Sequence, residues 1–143
     1  MKEKPEILYI EDEIDLEKEF PEILAIEGYD VDKARNGDEA LQKLRNHGKE
    51  YDLIILDIMM PTGEEIAPDQ SAKGGFETGK VILKKLRHEL KLQIPVIVLT
   101  AYSKPETEDE LRSFGISEFL GKPTSLTELL RYIKMYIRGS DKV

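Results

Sequence analysis

Four short apolar runs end on side chains able to do chemistry: the pair Glu11-Asp12 follows ILYI, Asp57 follows LIIL, Thr100 follows VIVL, and Lys122 follows EFLG. If the runs are parallel strands, all of these groups lie at carboxyl ends, where open α/β sheets bind ligands at the point at which strand order reverses. In the order 2-1-3-4-5 that point falls between the first and third strands, so Asp12 and Asp57 become neighbours. Crowded carboxylates repel one another and gain protons unless a cation intervenes, so Glu11, Asp12 and Asp57 call for a hard ion with oxygen ligands. Mg²⁺ fits, since it takes oxygen ligands octahedrally and is commonly held by one or two carboxylates plus a phosphate. The remaining groups then have roles in phosphoryl transfer. An Asp57 oxygen attacks phosphorus in line, Lys122 and the ion neutralise charge on the equatorial oxygens, and the Thr100 hydroxyl donates to one of them.

The elements that must position these groups are legible as alternating short β-branched runs and amphipathic stretches, the rhythm of βαβ units around a parallel sheet. Strands are predicted at 7–10, 29–34, 53–57, 95–100 and 117–121. Leu53-Ile54-Ile55-Leu56 and Val96-Ile97-Val98-Leu99 are continuous apolar runs, expected of strands covered on both faces. Helices are predicted over 16–27, after Asn36-Gly37-Asp38, around Val81 to Leu86, over about 106–114, and where Leu126, Leu129, Leu130, Ile133 and Ile137 form one stripe. Pro21 interrupts the first helical pattern, which predicts either a kink or a fresh start with proline in the first turn. The segment 62–74, TGEEIAPDQSAKG, is rich in turn formers and too long for an ordinary connection, so it reads as an inserted loop. The tail from Gly139 to Val143 reads as frayed.

Composition narrows the class. A chain of 143 residues, 40% hydrophobic and 35% charged, has room for one domain spanning 1–143 with no output domain attached. No apolar run approaches the roughly 20 residues of a membrane helix. Cysteine is absent and the N-terminus carries no signal-peptide pattern, so a cytoplasmic location is expected. A net charge of -8 argues against direct nucleic-acid binding, which takes clustered Lys and Arg.

The motifs ILYIEDE, ARNGDEAL, DLIILDIMMP, IPVIVLTAY and EFLGKP, in this order and spacing, resemble the receiver domain of bacterial two-component response regulators over nearly the whole chain. The resemblance implies a flavodoxin-like (βα)5 doubly wound parallel sheet of order 2-1-3-4-5. It makes Asp57 the phosphorylated residue, Asp12 a direct Mg²⁺ ligand, Glu11 a group acting nearby or through water, and Met59 a ligand through its carbonyl. Thr100 and Lys122 would bind phosphoryl oxygens, Thr100 and Phe119 would form the switch pair, and Lys122-Pro123 would be cis. The implied partners are a sensor histidine kinase or histidine phosphotransfer protein as donor and a downstream protein target, with a homodimer through the last helix left open. Such a domain is a phosphoacceptor switch rather than an enzyme, though with intrinsic Mg²⁺-dependent self-phosphorylation and self-dephosphorylation chemistry.

Departures from the pattern are Glu11, where aspartate is more usual, Phe119, which lacks a tyrosine hydroxyl, and the 62–74 insertion, whose Glu64, Glu65 and Asp69 bring acidic charge near the metal segment. Singly, Asp57 could end a turn, Thr100 cap a helix and Lys122 be an ordinary surface lysine; their conjunction is what points to chemistry. His47 and His88 are assigned no role. A phosphatase of the haloacid-dehalogenase type would want a second acid two residues beyond the nucleophile, where this chain has Met59. A phosphorylation-independent interaction module of the same fold is the alternative function, kept open by Glu11 and the insertion. Met59 and Tyr102, two residues beyond Asp57 and Thr100, are expected to flank the approach of water and to slow loss of the phosphoryl group.

Overall fold

The structure, a computed structural model, describes residues 4–12, 19–102 and 104–137. Five parallel strands, β1 (Glu6–Ile10), β2 (Asp30–Ala34), β3 (Leu53–Leu56), β4 (Val96–Thr100) and β5 (Glu118–Gly121), form one sheet in the order β2-β1-β3-β4-β5. Between and after them run α1 (Glu19–Ile26), α2 (Gly37–His47), α3 (Thr78–His88), α4 (Pro105–Ser113) and α5 (Leu126–Tyr136). The expected fold and strand order are those observed. Pro21 lies in the first described turn of α1; the predicted residues before Glu19 and the tail from Gly139 fall outside the described residues.

Alternation along the central strands divides the core into two layers, because successive side chains of a strand point to opposite faces. Leu8, Ile10, Ile54, Leu56, Val96 and Val98 pack with Leu41 and Leu44 of α2, Ile82 and Leu86 of α3 and Leu111 of α4. Ile7, Tyr9, Leu53, Ile55, Ile97 and Leu99 pack with Leu24 of α1 and with Leu129 and Ile133 of α5. Strands β3 and β4 are buried at every position, which is why their sequences are uninterrupted apolar runs. Helix starts follow local chemistry: the Asn36 side chain accepts from the Glu39 amide at 2.8 Å, Ser125 accepts from the Glu128 amide at 3.1 Å, and Pro105 opens α4.

The 62–74 segment is not an open loop. It is docked on α2: the Gly37 and Asp38 amides donate to the Pro61 and Thr62 carbonyls, and the Asp38 carboxylate accepts from the Glu65 amide at 3.0 Å. Arg45 grips Glu65 with both guanidinium nitrogens, Ile66 is 1% exposed, and Ala72 is fully buried. Gly63 permits this docking, since its φ is +79° and a β-carbon there would collide with the Asp38 carboxylate. A short 3₁₀ segment, Gln70–Gly75, then leads into α3, with Asp69 capping it by accepting from the Ser71 amide. Glu65 and Asp69 are therefore occupied within the insertion and α2, and the cavity at the carboxyl edge of the sheet is reached by Gly74, the last residue of the insertion, with Gly75 and Phe76 just after it.

Candidate functional site

Strand register brings the chemistry together. Ile10 pairs with Leu56, so Glu11 and Asp57 leave the sheet side by side; Leu56 pairs with Val98 and Thr100 pairs with Gly121, so Thr100 and Lys122 emerge at the same edge. Main-chain bonds hold the exits: the Glu11 amide donates to Ala34, the Asp57 amide to Ile10, and the Lys122 amide to Thr100. Asp57 is 7% exposed. Its Oδ1 accepts from the Thr100 hydroxyl at 2.6 Å, and its Oδ2 lies 3.1 Å from Lys122 Nζ. Lys122 also donates to Glu11, and the Lys122-Pro123 bond is cis, as the resemblance implies. Burial works against charge on Lys122, but the Glu11 hydrogen bond and the Asp57 charge outweigh it and raise its pKa above the ordinary lysine value.

Glu11, Asp12 and Asp57 present one carboxylate oxygen each within 4.8 Å of one another. Three hard oxygen donors converging at a strand-end cleft fit Mg²⁺. The surrounding cavity, about 390 Å³, is lined by these acids with Met59, Met60, Pro61, Gly74, Gly75, Phe76, Ala101 and Lys122. The segment after Asp57 is fixed from α3: the Thr78 hydroxyl donates to the Met60 carbonyl at 2.6 Å, and the Gly79 amide donates to Ile58 at 2.8 Å. Gly79 must be glycine for the helix to come this close, because a β-carbon would lie 2.5 Å from the Asp57 carbonyl oxygen. Met59 is 42% exposed at the cavity mouth, while Phe119 is half-buried against the α2–α3–α4 core layer.

Sequence reasoning found Glu11, Asp12, Asp57, Met59, Thr100 and Lys122, and the structure brings them all to one cleft. It missed Phe76 and Glu77, which follow the point where the insertion was taken to end. Glu77 is fully buried: it pairs with Lys80 at 2.7 Å and Lys73 at 3.1 Å, and accepts from the Tyr102 and Thr107 hydroxyls, each at 3.0 Å. The only available sequence signal was an acid just before a helix-forming run. Burial raises the Glu77 pKa, but the bonds from Lys80, Lys73, Tyr102 and Thr107 outweigh it and bring it from 4.5 down to about 2. A depressed folded-state pKa stabilises above the unfolded value and is lost as pH falls through the folded one. The Glu77 contribution should thus be present above pH 4.5 and disappear toward pH 2. Lys73 is half exposed, and Glu110 also faces Lys80 at 3.5 Å; solvent screening leaves an expected contribution of roughly 2 kcal/mol. Urea unfolding of wild type and Glu77→Gln should differ clearly at pH 7, and the gap should narrow below pH 4.5 and close toward pH 2; a gap independent of pH would contradict the assignment.

Against this geometry stand the comparisons with known proteins. The family model described as the response regulator receiver domain matches residues 7–134, and the chain belongs to that family. It is 32% identical to the transcriptional regulatory protein DltR of Streptococcus agalactiae over 96% of this chain and 54% of that protein. It is 30% identical to the polar-differentiation response regulator DivK of Brucella anthropi over 92% of this chain and 94% of that one. The chain thus spans about half the length of DltR and nearly all of DivK. Among solved structures, a CheY-like receiver domain protein from Methanospirillum hungatei aligns with a TM-score of 0.78 at 26% identity, covering 97% of this chain and 98% of that one. The non-phosphorylated HemR receiver domain from Leptospira biflexa aligns with a TM-score of 0.74 at 27% identity, covering 94% of each. The chain is a two-component receiver domain, a phosphoacceptor signalling domain of a family that is phosphorylated on aspartate with Mg²⁺. Among the described residues no helix is long and apolar enough to cross a membrane.

Proposed function

We propose that Asp57 is the phosphoacceptor of this domain and that Asp12, Asp57 and the Met59 carbonyl hold Mg²⁺, with Glu11 acting beside them. The observation that carries this reading is the grip on Asp57: one carboxylate oxygen on the Thr100 hydroxyl, the other beside Lys122, with the Glu11 and Asp12 oxygens adjacent. Bound there, the ion supplies positive charge to the transferring phosphoryl group. An Asp57 oxygen forms the new bond to phosphorus, the donor's bond to phosphorus breaks, and the electron pair leaves with the donor. Lys122 neutralises charge on the equatorial oxygens and Thr100 donates to one. The donor is a histidine kinase or histidine phosphotransfer protein of the cytoplasm.

The added charge, about -1.5 to -2, must act through groups with two arrangements. Thr100 already contacts Asp57 and shares its hydroxyl oxygen with the Tyr102 amide at 3.1 Å, so a phosphoryl group competes for a switch residue that is in place. Phe119 follows Thr100, and the α4–β5–α5 face changes its affinity for a protein target. Self-dephosphorylation is slow because Met59 stands at the cavity mouth.

The test is intact-mass spectrometry after acetyl phosphate treatment. Wild type should gain one phosphoryl group with Mg²⁺, none with chelator, and none in Asp57→Ala. Incorporation into Asp57→Ala, or none in wild type, would favour the phosphorylation-independent module. A phosphoryl lifetime of seconds in the purified protein would refute the slow-hydrolysis reading.

A further inference from the structure

The end of the insertion and the residues just after it, Gly74 to Phe76, contribute a wall of the phosphoacceptor cavity, and their anchoring leads to the switch segment. Phe76 lines the cavity that contains Asp57 and Lys122, yet it is 55% exposed, so it adds little to the core. Behind it stands Tyr102, with ring centroids 6.1 Å apart and planes inclined by 49°. Tyr102 is held at both ends: its hydroxyl donates to the buried Glu77, and its amide donates to Thr100. Glu77 in turn collects Lys73 from the insertion, Lys80 from α3 and Thr107 from α4, so one buried carboxylate ties four segments together. A satisfied buried network of this kind rigidifies what it holds. Tyr102 itself is not among the residues lining the cavity, where Ala101 and Phe76 stand instead.

We infer that Phe76 is a specificity-determining residue of the site: it narrows the mouth through which water reaches the phosphorylated Asp57. Tyr102, held by Glu77, is the positioning residue that keeps Phe76 there. The inference rests on the phosphoacceptor reading and goes beyond it by assigning control of phosphoryl lifetime to the segment that joins the insertion to α3. An aromatic wall acts by excluding water from the reacting phosphorus, and a phenylalanine braced at one edge keeps that position better than a free one.

The experiment measures loss of the phosphoryl group by intact mass, after acetyl phosphate and Mg²⁺ treatment and removal of the donor. Phe76→Ala should lose it roughly three- to tenfold faster than wild type, with an unchanged urea midpoint, and Phe76→Leu should restore most of the lifetime. Tyr102→Phe, which removes only the hydroxyl, should shorten the lifetime in the wild-type background and add nothing to Phe76→Ala. A Phe76→Ala protein that takes up phosphoryl and keeps it as long as wild type overturns the inference while leaving the phosphoacceptor reading intact. Additive effects of the two substitutions overturn the positioning role of Tyr102. Absence of uptake by wild type overturns the phosphoacceptor reading and this inference with it.

Discussion

Lys122→Ala is expected to slow phosphoryl incorporation at Asp57 by roughly 10²- to 10³-fold, the scale seen when one preorganised donor to a developing anion is removed. The lysine reaches Asp57 Oδ2 at 3.1 Å and also donates to Glu11, so on the proposed reading its charge lies beside the phosphoryl oxygens that develop charge. Its removal takes away transition-state stabilisation without removing any carboxylate of the Glu11, Asp12 and Asp57 group. Divalent-ion binding should therefore persist, and stabilisation of the protein by Mg²⁺ should be at least as large as in wild type, because the acids have lost their internal cation. Acetyl phosphate kinetics followed by mass, together with thermal denaturation across a Mg²⁺ titration, separate the two effects. A Lys122→Ala protein phosphorylated at the wild-type rate would sink the proposed role.

Arg87→Ala should destabilise the fold by about 3 kcal/mol or more, with no requirement that phosphoryl chemistry change in the molecules that remain folded. Arg87, 9% exposed in the last turn of α3, donates to four main-chain carbonyls: Leu92 at 2.6 Å, Ile94 at 2.7 Å, Gly115 at 2.9 Å and Phe114 at 3.0 Å. These carbonyls belong to the connections before β4 and before β5, so one side chain staples both strand entries to α3. Burial lowers its pKa, and carbonyl dipoles rather than a full counter-charge offset the desolvation. Alanine leaves the carbonyls without these donors; lysine, lacking the planar fork, cannot serve all four at once and should recover only part of the loss. Urea unfolding should show a lower midpoint with an unchanged slope in both variants. A shift of a few tenths of a kcal/mol for Arg87→Ala would show that water replaces the guanidinium without penalty.

Much of the site was legible because parallel strands that begin and end in register must deliver their final residues to one edge. Ile10, Leu56 and Gly121 each end a strand run, so the identity of the next residue was enough to bring together Glu11, Asp57 and Lys122, and Thr100 itself closes its own run. The insertion was legible only as an interruption. Its turn formers announced non-helical backbone, but docking depends on Asp38 and Arg45, residues of α2 that read as ordinary surface charges. Arg87 looked like one more cation at a helix end, and Glu77 like one more acid at a helix start. Their importance comes from burial and from partners 25 to 30 positions away, which no local pattern encodes.

By itself, then, the amino-acid order determined the periodicities, hence the five strands and their helices, and the residue types at the strand ends, hence a cluster of acid oxygens at one edge of the sheet. Those properties follow from short-range rules of backbone geometry and hydrophobic pattern. Only the tertiary structure decided that Thr100 already touches Asp57, that Phe76 walls the cleft, and that a buried Glu77 joins insertion, α3, Tyr102 and α4. The physical reason is that burial and hydrogen-bond partnership belong to the packed chain: a charged residue has the same letter whether water or four neighbours surround it.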